Sequence, residues 1–137
     1  MTQDSRLSRM LHMLIHIDLH DGRATSETIA QMLGTNPVVV RRMMAGLRKQ
    51  GYVEAARGPN GGWKLARPLE DITVLDVHRA LGSPSLFALG ITADHPDCPV
   101  ERSVNAALGT ILDDAETRVM SSYGNISLAD LIPAIKR

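Results

Sequence analysis

The chain is poor in several things on which specialised proteins depend. It has one cysteine, Cys98, so neither an intrachain disulfide framework nor a metal site made of cysteines alone can form within it. Its aromatic residues are Tyr52, Trp63, Phe87 and Tyr123 and no others. That is too few for the stacking platforms with which proteins read RNA and single strands. No apolar run approaches the ~20 residues of a membrane span. The stretch Met1 to Arg9 is polar and lacks the cationic-then-apolar order of a secretory signal. A cytoplasmic protein with no membrane partner is therefore expected. The formal net charge is zero, which at first sight disfavours a polyanionic partner.

What is present changes that view. A length of 137 residues, 44% of them hydrophobic and 22% charged, suits one globular domain with an appended helix. The charge is unevenly spread. Residues 37–67 carry seven basic groups (Arg41, Arg42, Arg48, Lys49, Arg57, Lys64 and Arg67) against Glu54 alone, whereas residues 68–137 carry five basic and ten acidic groups. One strongly cationic segment inside a neutral chain points to a polyanion.

That segment has a recognisable order. Asp4 to His20 has the periodicity of an amphipathic helix. Leu7, Met10, Leu11, Leu14, Ile15 and Ile17 lie on its apolar arc, and Ser5, Arg9, His12, His16 and His20 lie opposite. A second helix, Glu27 to Leu33, can be capped by Thr25 or Ser26 and turns its Ile29, Ala30 and Leu33 inward. After the turn Gly34-Thr35-Asn36, Pro37 fits the first position of a third helix, where its missing N–H costs nothing. This helix, Pro37 to Gln50, has Val39, Val40, Met43, Met44 and Leu47 on its buried arc. Its other face holds Pro37, Val38, Arg41, Arg42, Ala45, Arg48 and Lys49. It is cationic at the sides and small in the middle, so it can approach a groove floor while long side chains reach phosphates. Tyr52–Ala56 and Trp63–Ala66 then form a hairpin around the turn residues Pro59-Asn60-Gly61-Gly62.

Helix, turn, helix and basic hairpin is the order of a winged helix-turn-helix, a duplex DNA reader. The expected fold is mostly α with a small β-hairpin, followed by a long C-terminal helix. Ile72-Thr73-Val74-Leu75-Asp76-Val77 and Ile126-Ser127-Leu128-Ala129-Asp130-Leu131 echo each other. Each is a hydroxyl N-cap with a carboxylate three residues on, starting a short helix. Gly82 to Pro99 is rich in Gly, Pro and Ser and is expected to be irregular. Val100 to Ser121 should be a helix with Val104, Leu108, Ile111, Leu112, Ala115 and Val119 along a narrow coiled-coil-like stripe, suited to pairing with a second copy, the other reading being packing against its own domain. The expected organisation is a DNA-binding domain at 1–82, a sensor loop at 83–99, and a dimerisation helix with a short terminal helix at 100–137.

Specific residues carry a family likeness. They are Ile29-Ala30, the run Leu47-Arg48-Lys49-Gln50-Gly51-Tyr52-Val53, the wing Arg57-Gly58-Pro59-Asn60-Gly61-Gly62-Trp63-Lys64-Leu65-Ala66-Arg67-Pro68, and Ile72 to Val77. On these, residues 25–82 resemble the Rrf-two family of bacterial winged helix-turn-helix transcriptional regulators. The resemblance implies a homodimer on a palindromic operator, dimerised through the long helix from Val100, with Arg57 at the wing position that enters the minor groove. Asn60, Gly61 and Gly62 would let the wing backbone approach closely. From the residues alone, Asn36, Pro37, Val38 and Arg41 are best placed for base edges, Val38 for a thymine methyl and Arg41 for a guanine or a phosphate. Thr35 joins this set, and Arg42, Arg48 and Lys49 are expected on phosphates. A repressor is the expected mode of action.

The best-known relatives hold an iron–sulfur cluster on three cysteines before the long helix. Here Cys98 matches the middle one, but Thr92 and Val104 stand near the flanking positions. A cluster-free member is expected, with no cofactor and no metal, answering an oxidant or a small molecule. Two readings of Cys98 stay open: a thiol activated by the start of the long helix, or a small buried apolar residue. His12, His16 and His20 share a helix face, but no carboxylate joins them and no metal site is expected. No nucleophile, base and oxyanion set surrounds Cys98 and His95, so no enzyme is expected. The alternative function is a protein-interaction module that uses a winged-helix scaffold to meet an acidic partner.

Overall fold

The computed structural model describes residues 4–19, 22–58 and 61–133. The winged unit begins with α1 (Arg6–Leu19), followed by β1 (Arg23–Ala24), α2 (Ser26–Leu33), α3 (Pro37–Lys49), β2 (Val53–Ala56) and β3 (Gly62–Leu65). A 3-10 turn (Leu69–Asp71) leads to α4 (Val74–Ala80). Residues 83–98 form no helix or strand. The long α5 (Pro99–Gly124) and a 3-10 turn (Leu128–Leu131) complete the described chain. Among the described residues no helix is long and apolar enough to cross a membrane.

The helices α1 to α4 start where side chains can satisfy the first free N–H groups. Asp4 accepts from the Arg6 backbone N–H at 3.0 Å, and the hydrogen bonds from Arg6 hold its carboxyl down to about 2. Thr25 caps α2 through the Thr28 N–H. Asn36 caps α3 through the Val39 N–H at 3.1 Å, with Pro37 opening the helix.

The core lies where α1, α2, α3 and α4 meet the inner face of the sheet. Met10, Met13, Leu14, Ile17, Ile29, Val40, Met44, Leu47, Ile72, Val77 and Leu128 are fully enclosed there. The buried stripe of α1 differs from the one expected. It runs through Met10, Met13, Leu14 and Ile17, while Leu7, Leu11 and Ile15 are only half-buried. His16, expected on the solvent arc, is also half-buried, its ring 4.4 Å from that of His12. His20 lies outside the described residues.

The sheet has three strands, not the two of a simple hairpin. β3 is central and pairs antiparallel with β2 (Val53↔Leu65) and with β1 (Arg23↔Lys64). β1 consists of two residues and had no strand signature of its own.

The two echoing capping boxes are both complete, and they meet. Thr73 and Ser127 face each other in an isolated antiparallel bridge, with Val74 N–H donating to the Ile126 carbonyl (3.0 Å) and Leu128 N–H to that of Ile72 (2.8 Å). The C-terminal segment is thereby stitched to the start of α4. The second box opens a 3-10 turn in place of the expected short helix, because Pro133 follows too soon for an α-helix to extend.

Candidate nucleic-acid interface

α3 presents two distinct faces. Val40, Met44 and Leu47 are fully buried, whereas Val38 is 54% exposed and Arg41, Arg42, Ala45, Arg48 and Lys49 all face solvent. The expected partition therefore holds, except that Val39, Met43 and Pro37 are only half-buried. The fixed positive end of the helix axis lies at its N-terminus, beside the exposed Asn36 and Val38 and the half-buried Thr35 and Pro37. Asn36 is more constrained than expected. Its side-chain oxygen is committed to the Val39 N–H, so only its amide NH₂ is left to donate to an acceptor. The pair Asn36-Pro37 carried that signal, since Asn is a preferred N-cap and Pro a preferred first residue.

The basic groups differ in how free they are. Lys64 lies 3.1 Å from Glu54 across the β2–β3 ladder. Arg67 stacks over the Tyr52 ring at 5.3 Å. Arg41 is 4.0 Å from Glu27, both side chains more than half exposed. Such a surface pair is worth ~0–1 kcal/mol, so Arg41 is easily drawn to a stronger anion. Among the described residues no ion pair engages Arg42, Arg48, Lys49 or Arg57. Burial, then the nearby Asp76 carboxylate, push the Tyr52 phenol above its ordinary range, so it stays neutral beneath Arg67.

The wing is held by a contact that sequence reasoning missed. The indole N–H of Trp63 donates to the Ser26 hydroxyl at 2.9 Å, tying the central strand to the first turn of α2. A lone tryptophan in a small basic hairpin was the available signal, because a part-buried indole needs a partner. The paired glycines also have an internal reason. A Cβ on Gly62 would stand 2.4 Å from the Ala24 carbonyl, and one on Gly61 2.6 Å from that of Ala56. The strand-to-strand approach demands glycine before any DNA is considered. Arg57 is exposed at the end of β2, and Gly61 N–H donates to the Gly58 carbonyl at 2.9 Å across the turn. Asn60 lies outside the described residues.

Cys98 is the residue just before α5. It is half-buried, its thiol makes no capping hydrogen bond, and its carbonyl accepts from Arg102 N–H. The loop before it is fastened to α5. Glu101 accepts from His95 N–H at 2.8 Å, and the Asn105 amide donates to the Thr92 carbonyl at 2.7 Å. α5 itself buries none of its side chains within the chain. Val100, Val104, Leu108 and Ile111 are exposed along it, and Leu112, Ala115 and Val119 are half-covered.

The Rrf2 family model, described as an iron-dependent transcriptional regulator, matches residues 3–134. The helix-turn-helix-type transcriptional regulator YwnA, named as such in Bacillus subtilis (strain 168), is 33% identical over 130 residues, 94% of this chain and 96% of its own length. A crystal structure described as that of a DNA-binding protein is 31% identical with a TM-score of 0.75, covering 94% of this chain and all of the other. A transcriptional regulator structure from Lactobacillus plantarum is 25% identical with a TM-score of 0.76, covering 93% of this chain and 87% of the other.

The iron in that family description finds no matching donor set beside Cys98. The Thr92 carbonyl is taken by Asn105, Val104 is an apolar side chain, and Glu101 gives Oε2 to the His95 N–H while its Oε1 is buried without a hydrogen-bond partner. Among the described residues no three His, Cys, Asp or Glu side chains converge. One thiolate does not hold a cluster that needs several.

Proposed function

The chain belongs to the Rrf2 family of transcriptional regulators, and on that premise we propose that it works as a homodimeric, sequence-specific repressor on a palindromic operator. The observation that carries this reading is the exposed face of α3, cationic at its edges and small at its centre, on a helix anchored from behind by Val40, Met44 and Leu47. In a two-fold dimer built on α5, two such faces would enter major grooves about one helical turn (~34 Å) apart. Val38, Arg41 and the Asn36 amide meet base edges, with Thr35 and Pro37 alongside. Arg42, Arg48 and Lys49 hold phosphates, which fixes register. Arg57 reaches the adjacent minor groove, and the backbone at Gly61 and Gly62 lies against the sugar-phosphate edge. Occupying the operator excludes polymerase, and no catalytic step is involved. A DNA partner puts the working protein in the cytoplasm.

We assign it to the cluster-free members, with the signal, an oxidant or a small molecule, received near Cys98. The half-buried thiol and the loop fastened to α5 support that assignment. Selection of bound duplexes from a random pool, done with reduced and with oxidised full-length protein, tests both statements. A two-fold-symmetric site enriched in one state and lost in the other is the expected result. Enrichment of no sequence, with a stable protein complex instead, would give the basic face to an acidic protein partner. Equal enrichment in both states, unchanged in Cys98→Ser, would remove the thiol from the mechanism.

A further inference from the structure

α3 carries a glycine in its interior, Gly46, where glycine is a poorer helix former than any ordinary residue but proline. Its surroundings explain the choice. A Cβ at Gly46 would stand 2.8 Å from the backbone carbonyl oxygen of Ala80, the last residue of α4. That falls short of ordinary van der Waals separation by roughly half an ångström, so one helix would have to move.

α4 is the worse placed to move. Its first residue is bonded to the C-terminal segment (Val74 N–H to Ile126, 3.0 Å), its N-cap is closed by the reciprocal Thr73–Asp76 box, and Val77 and His78 are buried. The His78 ring packs on that of Tyr123 at 5.8 Å, and Gly124 abuts Leu75. Beyond Ala80 the chain is turned back by Leu81 N–H to Val77, Gly82 N–H to Arg79 and Ser83 N–H to His78. α3 packs on α2, β2 and α4 along one face, and its other face is open to solvent, so it can shift outward.

Resting on the duplex-binding reading above, we propose that Gly46 is a positioning residue: the contact of its bare α-carbon with the Ala80 carbonyl sets the pose at which α3 meets the base edges. Base-edge hydrogen bonds are lost within a fraction of an ångström and a few tens of degrees. Long arginine and lysine side chains follow phosphates through such shifts, because charge attraction falls off slowly. Moving α3 by half an ångström therefore costs specificity and leaves non-specific affinity alone.

The test measures full-length wild type and Gly46→Ala on the duplex enriched by selection and on a scrambled duplex, across a salt series, with thermal unfolding of both proteins. Expected for Gly46→Ala is roughly ten-fold weaker binding to the enriched duplex, with scrambled-duplex affinity within two-fold of wild type and the same salt slope. Arg42→Ala, in contrast, should weaken both duplexes and flatten the slope. A Gly46→Ala protein that keeps the wild-type preference overturns the proposal. So does one that loses both affinities in proportion or fails to fold, because the contact would then serve stability alone. If wild type enriches no duplex, the duplex-binding reading itself fails, an outcome distinct from each of these.

Discussion

α3 and α5 are both amphipathic helices, and the chain treats them in opposite ways. α3 is 13 residues long and encloses Val40, Met44 and Leu47 completely. α5 is 26 residues long and encloses nothing, leaving Ile111 61% and Val100 70% exposed. An apolar stripe on a helix forms because something covers it. For α3 the cover is the chain's own core, so its outer face is free to be cationic. For α5 the winged unit supplies a hold at the C-terminal end, through Tyr123 on His78 and the Thr73–Ser127 bridge just beyond it. At its start the hydrogen bonds run to the preceding loop. On the reading proposed above, the cover for this stripe is a second α5, which has the same shape. On that reading one helix is complete as folded and leaves its outer face for a ligand, and the other is completed by association.

The sharpest way to break this contrast is to charge the seam of α5. Leu108→Asp with Ile111→Asp should give a monomer in sedimentation. It should also cut affinity for a full palindrome by roughly 10²–10⁴-fold, the loss of linked second-site binding, while a half-site duplex is bound as before. A dimer surviving this double change would show that α5 is not the seam.

The same contrast predicts where truncation destabilises the fold. Met44→Ala removes a fully buried side chain of α3 and should cost about 2–5 kcal/mol in denaturant unfolding. Leu108→Ala, measured on a chain kept monomeric by Ile111→Asp, removes atoms that water already reaches and should cost a small fraction of that. Comparable losses would mean that α5 packs on the winged unit in the monomer.

Within α3 the next effects are smaller. Arg41→Ala should lower affinity for the enriched duplex by about 1–3 kcal/mol and relax preference at one position. Arg48→Ala should weaken all duplexes alike and reduce the salt slope by about 1. If the two profiles coincide, both residues hold phosphates and the base reading rests on Asn36 and Val38.

Much of this was legible in the sequence. The two faces of α3 follow from a 3.6-residue period and from seven cations crowded into residues 37–67, and both capping boxes could be read from their spacing. Other features are set by contacts between distant parts of the chain. Arg23 and Ala24 become a strand only because β3 has a free edge to pair with. α1 is apolar around so much of its circumference that periodicity left the centre of its stripe open. The enclosed set, Met10, Met13, Leu14 and Ile17, is the i, i+3, i+4, i+7 subset that the packing of α4 and β3 selects. Gly46 was visible as an interior glycine, but its neighbour, the Ala80 carbonyl, is brought there by tertiary structure.

The two capping boxes allow the smallest and cleanest test, because the same chemistry occurs once in each region. Thr73 accepts from Asp76 N–H at 3.0 Å in a part-buried setting at the head of α4, and Ser127 from Asp130 N–H at 3.2 Å in an exposed one. Thr73→Ala should cost about 1 kcal/mol of stability, the usual worth of an N-cap. Ser127→Ala, which opens a single 3-10 turn, should cost about half that or less. The bridge between the two residues makes a further demand. If the C-terminal segment stays on α4 until the winged unit melts, the double change should depart from additivity, since residues in contact couple. If the segment leaves first, the Ser127 substitution disappears from the denaturant midpoint of the winged unit and the losses add. In that event the hold between α5 and the winged unit is looser than the bridge implies, and α4 loses one of the restraints that keep it pressed against α3.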